Sequence, residues 1–160
     1  MTSHRIAIVP GSFDPITYGH ISIVERAVQE YDKVYLAVMI NASKQYRFTL
    51  EQRKRIAEAA LADFPTVEVI ASEGMLWKLA EDLDACAIVK GYRNETDYHY
   101  EMEMAAFNER HNPKAKTVLY PAADGLEALS STLVRQEMQE GTEWSKYLPP
   151  KAAEVIQRFL

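Results

Sequence analysis

The sequence predicts a single α/β domain over residues 1–160, built on a five-stranded parallel sheet with helices on both faces. Two observations lead to this fold class. Short apolar runs alternate with helical segments along the whole chain, which is the pattern of βαβ units in a parallel sheet. The composition fits one packed core, because the chain has 160 residues of which 48% are hydrophobic and 26% charged.

The first half of the chain carries three apolar runs that predict strands, at residues 6–9, 33–40 and 67–71. Helices are expected between them. The first begins near His20 and runs to about Tyr31. The second begins at Thr49, which forms a capping box with Gln52, and runs to about residue 64, where Pro65 stops it.

The second half continues the alternation with two more predicted strands, at residues 87–90 and 117–120. Four helices are expected around them. They span residues 75–83, 97 to about 110, 129 or 130 to about 140, and the C-terminal segment that begins at Pro149-Pro150. The sequence shows no internal repeat and no linker, so we expect one domain.

Charge, cysteine content and hydropathy exclude several classes of protein. The net charge is −5, so we expect no nucleic-acid partner. No apolar run reaches the length of a membrane span, so we expect no membrane partner. Cys86 is the single cysteine and fits a reducing compartment. Residues 1–5 lead directly into a strand without a signal peptide, and we therefore expect a cytoplasmic protein.

Several common site types do not fit the sequence. It contains neither the GxGxxG fingerprint of dinucleotide-binding proteins nor the Walker A loop. His4, His99 and His111 lack the spacing of metal ligands, and the chain has no cysteine cluster, so we expect no metal site built from protein side chains. No Ser-His-Asp arrangement is evident either.

A glycine-punctuated turn between the first strand and the first helix is the main candidate for a functional site. It has the sequence PGSFDPITYGH, from Pro10 to His20. Gly11 is expected to leave room for a ligand close to the main chain, and Ser12 offers a hydroxyl and an amide. Because His20 falls at the start of a helix, its imidazole and the unpaired helical amides would face the same anion.

Other polar groups follow the remaining strands and meet the turn at one edge of the predicted sheet. Lys44, with Arg47 nearby, follows the second strand, and Lys90-Gly91-Tyr92-Arg93 ends the fourth. Ser130-Ser131-Thr132 opens the helix after the fifth. Each group alone has an ordinary explanation as a surface charge, a turn or a helix cap. Their convergence at the carboxyl ends of the strands predicts a site for a triphosphate and a second phosphate.

The turn matches the compound spacing G-[ST]-F-D-P-x-[TH]-x-G-H and resembles the nucleotidyltransferase superfamily with the T/HxGH motif. Nearly the whole chain is similar to the bacterial phosphopantetheine adenylyltransferases. Beyond the turn, the matching pieces are Ser43-Lys44, Phe48 to Arg53, Lys90 to Arg93, Asp97 to Met102 with Asn108, and Ser130 to Val134.

This resemblance implies a Rossmann-like fold, a Mg²⁺ cofactor and a homohexamer. It implies transfer of the adenylyl group of ATP to 4′-phosphopantetheine, which gives dephospho-CoA and pyrophosphate. The implied catalytic residues are His20, Lys44 and Arg93. The implied ATP-binding residues are Ser12, Phe13, His20, Gly91, Tyr92, Arg93, Glu101, Leu129, Ser130, Ser131 and Thr132. The implied residues for the acceptor are Ser12, Lys44, Leu76, Lys90 and Asn108.

The chain departs from the family pattern at three places. Lys90 stands where arginine is usual, Leu126 and Glu127 replace an aromatic residue and a serine, and Gly74 replaces a carboxylate. Three alternatives therefore remain open. They are an adenylyltransferase for another phosphorylated acceptor such as nicotinamide mononucleotide, a cytidylyltransferase acting on a small phosphorylated alcohol, and a non-catalytic protein that binds nucleotide or CoA.

Overall fold

The computed structural model describes residues 4–160; residues 1–3, the start of the segment expected to lack a signal peptide, lie outside the described residues. The strands are β1 (Ile6–Gly11), β2 (Lys33–Met39), β3 (Val67–Ser72), β4 (Ala87–Tyr92) and β5 (Lys116–Pro121). The helices are α1 (Tyr18–Glu30), α2 (Leu50–Ala60), α3 (Leu76–Asp82), α4 (Glu95–His111), α5 (Ser131–Glu140) and α6 (Pro150–Phe159). A 3-10 helix (Trp144–Tyr147), which the sequence did not predict, precedes α6.

The five strands form one sheet in the order β3-β2-β1-β4-β5, and every neighbouring pair is parallel. This confirms the predicted fold class. The chain builds β1, β2 and β3 outward in one direction and then returns to place β4 on the other side of β1. The carboxyl ends of β1 and β4 therefore flank the point where the strand order reverses, which is where open α/β sheets bind ligands.

The core lies on both faces of the sheet because alternate residues of each strand point to opposite sides. Ala7 and Val9 of β1 join the larger apolar cluster, together with buried residues of α1, α2 and α6. Ile8 joins the smaller cluster with Ala80 of α3. Burying a side chain such as Ile8 completely stabilises the fold by about 1.5–3 kcal/mol. Because each strand contains consecutive apolar residues, both faces of the sheet must be covered, and helices therefore pack on both.

Helix starts agree with the sequence better than helix ends. Thr49 caps α2 as predicted, and the side chain of Gln52 reaches back to the Thr49 amide. The predicted extension of α2 to residue 64 is wrong, because the helix ends at Ala60. The Phe64 amide donates to the Leu61 carbonyl in a turn, which returns the chain to β3.

Of the helices within residues 4–160, none combines the length and the apolar composition that a membrane span requires.

Candidate active site

A cavity of about 610 Å³ opens at the carboxyl ends of β1 and β4. Most of the predicted site residues line it: Phe13, His20, Lys44, Lys90, Gly91, Tyr92, Arg93, Glu101, Leu129, Ser130, Ser131 and Thr132. Ser12, Leu76 and Asn108 do not line it. Leu76 opens α3 beside the smaller apolar cluster, and Asn108 is buried on α4. The assignment of all these residues to ATP or to the acceptor stays a prediction.

Gly11 and Gly91 line the cavity, and packing also requires glycine at both positions. A Cβ atom on Gly11 would lie 2.9 Å from the Phe13 ring, and one on Gly91 would lie 3.0 Å from the side chain of Ile23. The Phe13 ring thus occupies the space that a side chain at position 11 would fill, while Gly11 itself lines the cavity, and its closeness to a ligand stays a prediction. Phe13 itself adopts a left-handed φ of 47°, which is uncommon for a bulky residue and marks a constrained turn.

Asp14 anchors the turn to two other segments. Its side chain is almost completely buried and accepts hydrogen bonds from the backbone amides of Arg47 and Phe48, at 2.8 and 3.0 Å. Its carbonyl accepts a bond of 2.9 Å from the Arg135 guanidinium, and the Ser131 hydroxyl donates to the neighbouring Pro15 carbonyl at 2.8 Å. Asp14 thus ties the turn to the loop before α2 and to the start of α5.

His20 is held with one ring nitrogen directed at the protein. Its Nδ1 accepts a hydrogen bond of 3.0 Å from the backbone amide of Thr17, the N-cap of α1. The neutral imidazole must therefore carry its proton on Nε2, which remains a donor. The Phe13 ring meets the imidazole edge-on, with the ring centres 5.0 Å apart. His20 is thus oriented by its own helix cap and by the turn before it.

Burial, together with the positive charge of Arg93, lowers the pKa of His20 from 6.5 to about 4. Removing the imidazole from water disfavours its charged form, and the arginine repels the added proton. His20 is therefore neutral at physiological pH and acts as a hydrogen-bond donor rather than as a cation.

The low pKa of His20 predicts a pH dependence of stability. Between pH 6.5 and about 4 the unfolded histidine binds a proton that the folded one does not, so stability is complete above pH 6.5 and is lost as the pH falls. Urea unfolding of the wild type and of His20→Gln over this range measures the effect. The wild type should lose up to about 1 kcal/mol per pH unit more than the variant. Parallel curves would contradict the assignment.

Two cations of the β4 segment are each paired with a carboxylate of α4. Lys90 Nζ lies 2.7 Å from Glu101 Oε2, and both side chains are largely buried. Arg93 Nε lies 3.1 Å from Asp97 Oδ2, which also accepts the Arg93 amide. Lys90 and Glu101 were assigned to different substrates, and the structure brings them into direct contact. Lys90 and Arg93 are therefore held in place in the cavity before any anion binds.

The loop after β2 contributes a further cation to the cavity. Lys44 is exposed at the rim, and none of the carboxylates within residues 4–160 forms a salt bridge with it. The loop is ordered from within, because the Asn41 side chain accepts from the amide and hydroxyl of Ser43. The Tyr46 hydroxyl accepts from the Asn41 amide at 2.7 Å. Lys44 thus lies on a loop that its own hydrogen bonds order and that faces the cavity.

The start of α5 supplies backbone amides to the same cavity. Ser130 is the N-cap, and its hydroxyl accepts from the Leu133 amide at 3.1 Å. The Ser131 and Thr132 hydroxyls are engaged with Pro15 and Arg135. The first amides of a helix lack partners inside the helix and carry its positive dipole end. This segment therefore attracts anions through its backbone amides, while its hydroxyl groups form hydrogen bonds within the protein.

Three polar residues make contacts that the sequence did not predict, although Arg53 and Asp97 lie in segments that match the family. Asp97, in the first turn of α4, orients Arg93, which lies just before the helix and four residues earlier in the chain. Arg135 joins α5 to the Asp14 carbonyl, and Arg53 is buried beside the turn. Sequence spacing does not reveal these last two contacts, because their partners lie about 40 to 120 positions away.

The chain is similar to known proteins along nearly its whole length. Residues 8–137 match the family described as cytidylyltransferase-like. The phosphopantetheine adenylyltransferase of Caldanaerobacter subterraneus subsp. tengcongensis is 39% identical over 156 residues, covering 97% of this chain and 98% of that protein. The phosphopantetheine adenylyltransferase of Lactobacillus acidophilus is also 39% identical and covers 97% of each chain.

Solved structures support the fold. A bifunctional nicotinamide mononucleotide adenylyltransferase and ADP-ribose pyrophosphatase from Francisella tularensis aligns with a TM-score of 0.68 at 18% identity. That alignment covers 97% of this chain and 49% of that one. At so low an identity the likeness concerns the fold alone.

Proposed function

The chain belongs to the phosphopantetheine adenylyltransferase family, within the cytidylyltransferase-like proteins, and from that premise we propose how its cavity performs the reaction. The enzyme transfers the adenylyl group of ATP to 4′-phosphopantetheine. An oxygen of the acceptor phosphate bonds to the α-phosphorus of ATP, and the bond from that phosphorus to the α,β-bridging oxygen breaks. The products are dephospho-CoA and pyrophosphate, so the enzyme belongs to coenzyme A biosynthesis.

The observation that carries this proposal is a single cavity that gathers His20, Lys44, Lys90 and Arg93 around two helix N-termini. The acceptor phosphate is already ionised at neutral pH, so the reaction requires no general base. Rate enhancement then comes from alignment of the two substrates and from stabilisation of charge in the transition state. A cluster of cations and free amides supplies both.

His20 is proposed to act on the α-phosphoryl group. Its Nδ1 accepts the Thr17 amide and its pKa is lowered to about 4, so Nε2 carries a proton at neutral pH. That N–H donates to a non-bridging oxygen of the α-phosphate as negative charge builds there. Because the imidazole is positioned by the helix cap before substrate binds, no energy is spent on reorienting it during the reaction.

The remaining groups bind the other phosphates of the two substrates. Lys44 and Lys90 hold the incoming phosphate of the acceptor, while Arg93 and the amides at the start of α5 hold the β- and γ-phosphates. Glu101 and Asp97 keep Lys90 and Arg93 in place until the phosphates arrive. Glu101 then orients the nucleotide rather than transferring a proton.

Mg²⁺ fits this site as an ion that arrives with ATP. The two cavity carboxylates, Asp97 and Glu101, are engaged with cations, and among residues 4–160 no group of three acidic, histidine or cysteine side chains is arranged to hold a metal. Magnesium commonly takes most of its oxygen ligands from substrate phosphates and water. When bound, it would neutralise charge on the β- and γ-phosphates beside Arg93.

Pyrophosphate release measured with ATP and a panel of acceptors tests the function. Release with 4′-phosphopantetheine and none with nicotinamide mononucleotide is the expected result. Release with nicotinamide mononucleotide instead would establish the alternative acceptor. Nucleotide binding without release in the presence of any acceptor would indicate a protein that binds but does not transfer.

Lys90 offers a test of acceptor recognition, because the family usually carries arginine there. Lys90→Arg keeps the charge next to Glu101 and adds a planar fork that binds phosphate through two hydrogen bonds. We expect the KM for 4′-phosphopantetheine to stay equal or to fall by up to about threefold, measured by steady-state kinetics at saturating ATP. A collapse of acceptor binding would show that the pocket is shaped for lysine.

Assembly into a homohexamer and a cytoplasmic location belong to the same proposal. The exposed part of α4 is rich in apolar side chains: Tyr98, Tyr100, Met102 and Met104 are 36%, 59%, 46% and 38% exposed. Tyr98 and Met102 lie one turn apart on one face of α4, whereas Tyr100 lines the cavity, and an exposed apolar patch such as the Tyr98–Met102 pair marks an interaction site. Cys86 is a free cysteine, which is compatible with a reducing compartment.

A charge placed on α4 tests the assembly. Met102→Glu should lower the mass measured by light scattering from that of six 18.2 kDa chains to that of a smaller species, because burying a carboxylate in an apolar contact is costly. Met75→Glu alters another exposed methionine, outside α4, and should leave the mass unchanged. Equal masses for Met102→Glu and the wild type would place the interface elsewhere.

A further inference from the structure

Arg53 is a buried cation in α2 to which the mechanism above gives no role. Its side chain is 1% exposed. Among residues 4–160 it forms no salt bridge, and the nearby carboxylate of Asp14 directs its oxygens to the amides of Arg47 and Phe48. Arginine is rarely buried completely without a carboxylate partner, so its hydrogen bonds must explain its presence.

Those hydrogen bonds go to three backbone carbonyls from three different segments. Arg53 Nη1 donates to the Ser12 carbonyl at 2.8 Å and to the Met39 carbonyl at 3.1 Å, and Nε donates to the Phe48 carbonyl at 3.2 Å. The guanidinium carbon lies 3.9 Å from the centre of the Tyr46 ring. One rigid planar group thus connects the turn after β1, the last residue of β2 and the residue before the cap of α2.

The bond to Ser12 sets the direction of the peptide that joins Ser12 to Phe13. In a trans peptide the C=O and N–H groups point in opposite directions. Because Arg53 draws the Ser12 carbonyl toward α2, the Phe13 N–H points away from α2. None of the groups in residues 4–160 accepts a hydrogen bond from that N–H, and Phe13 lines the cavity. The Phe13 amide is therefore available to an anion.

The other two bonds act on the loop that carries Lys44. Met39 and Phe48 lie on either side of this loop, and Tyr46 within it rests on the guanidinium plane. Holding both ends to one group fixes where the loop leaves β2 and where it enters α2. Arg53 therefore sets the position of Lys44 relative to the Phe13 amide.

We infer that Arg53 is a positioning residue that fixes the Phe13 amide toward the α-phosphate of ATP and the Lys44 loop toward the attacking phosphate. It touches neither substrate and acts through the backbone of both segments. The inference rests on the proposed adenylyl transfer. Its consequence is that alignment of the two phosphates depends on the planar fork of Arg53, and a misplacement of about 1 Å is enough to cost about 10²-fold in rate.

Arg53→Lys tests this with the charge retained. One ammonium cannot reproduce the fork that reaches three carbonyls. We expect kcat to fall about 30- to 100-fold while the dissociation constant for Mg-ATP changes less than about threefold. Arg55→Lys makes the same exchange at an exposed position of the same helix and should leave kcat unchanged. An Arg53→Lys enzyme that is folded, as judged by its thermal transition, with kcat within threefold of the wild type overturns the inference.

A second measurement does not depend on the variant folding. In the wild type, the amide resonance of Phe13 should shift downfield when Mg²⁺ and α,β-methylene-ATP are added, since its N–H gains an anionic acceptor. An unchanged Phe13 resonance under conditions in which other cavity amides shift would overturn the inference. This readout also separates the two claims: a wild type that binds the analogue but releases no pyrophosphate contradicts the proposed function, while the Phe13 shift still decides the role of Arg53.

Discussion

Replacing His20 by alanine is expected to lower kcat by about 10²- to 10³-fold, the loss typical of removing one preorganised hydrogen-bond donor to the transition state. The dissociation constant for Mg-ATP should change by less than about threefold, because the neutral Nε2–H gains its full strength only as charge builds on the α-phosphate. Steady-state kinetics with 4′-phosphopantetheine, together with calorimetric titration of ATP, separate the two quantities.

His20→Gln provides the matched control. Glutamine at this position completes the same capping box with Thr17, so the start of α1 is preserved. Its amide group is also a donor, and we expect it to recover part of the rate lost in the alanine variant. A variant of either kind with unchanged turnover and greatly weakened ATP binding would show that His20 binds the ground state instead.

Replacing Asp14 by alanine is expected to produce the largest loss of stability. The substitution leaves the amides of Arg47 and Phe48 without their buried acceptor. Hydrogen bonds to charged groups contribute about 1.5–3 kcal/mol each, so a total loss of about 3 kcal/mol or more is expected. For a chain of this length, that loss lowers Tm by about 6–12 °C, which differential scanning calorimetry measures directly.

Asp63→Ala is the control for the loss of a carboxylate at the surface. Asp63 is 90% exposed and lies 3.8 Å from Lys151, and a pair so exposed contributes little, so Tm should stay within about 1 °C. Asp14→Asn keeps one acceptor oxygen and should fall between the wild type and the alanine variant. An Asp14→Ala protein as stable as Asp63→Ala would mean that the loop before α2 is held by other contacts.

Both residues belong to the turn between β1 and α1, and they use the same local geometry for different purposes. Asp14 turns its carboxylate inward to bind the loop before α2, while His20 presents one ring nitrogen to the cavity. Asp14→Ala should therefore lower activity as well as stability, because the loop that it releases also carries Lys44. His20→Ala should lower activity far more than stability.

The fold was predictable from the sequence because its signals are local. Apolar runs such as 33–40 identify strands, and the Thr49 capping box identifies the start of α2 to the residue. The turn from Pro10 to His20 and the segment from Lys90 to Arg93 fall at strand ends. The rule that ligands bind at those ends of a parallel sheet was therefore enough to bring them together.

The predicted ends of strands and helices were less accurate than the predicted elements themselves. β1 and β4 continue through Gly11 and Gly91, which the sequence assigned to loops. Glycine favours turns on average, but here each glycine sits in a strand because a neighbouring side chain leaves no room for a Cβ atom. The neighbours are Phe13 and Ile23, and only packing in three dimensions shows that they approach so closely.

The sequence by itself determined the fold, the edge of the sheet where the site lies and most of the side chains that line it. The fold and the sheet edge follow from periodicity and from motifs within a few residues of one another, whereas Glu101 and Leu129 were implied by the resemblance to the family. The tertiary structure decided how those groups are held: the Lys90–Glu101 pair, the inward-facing carboxylate of Asp14 and the three carbonyls around Arg53. The contacts of Asp14 and Arg53 join residues as far as 121 and 41 positions apart. No local pattern encodes them, because the partners meet only after the sheet and its helices have packed.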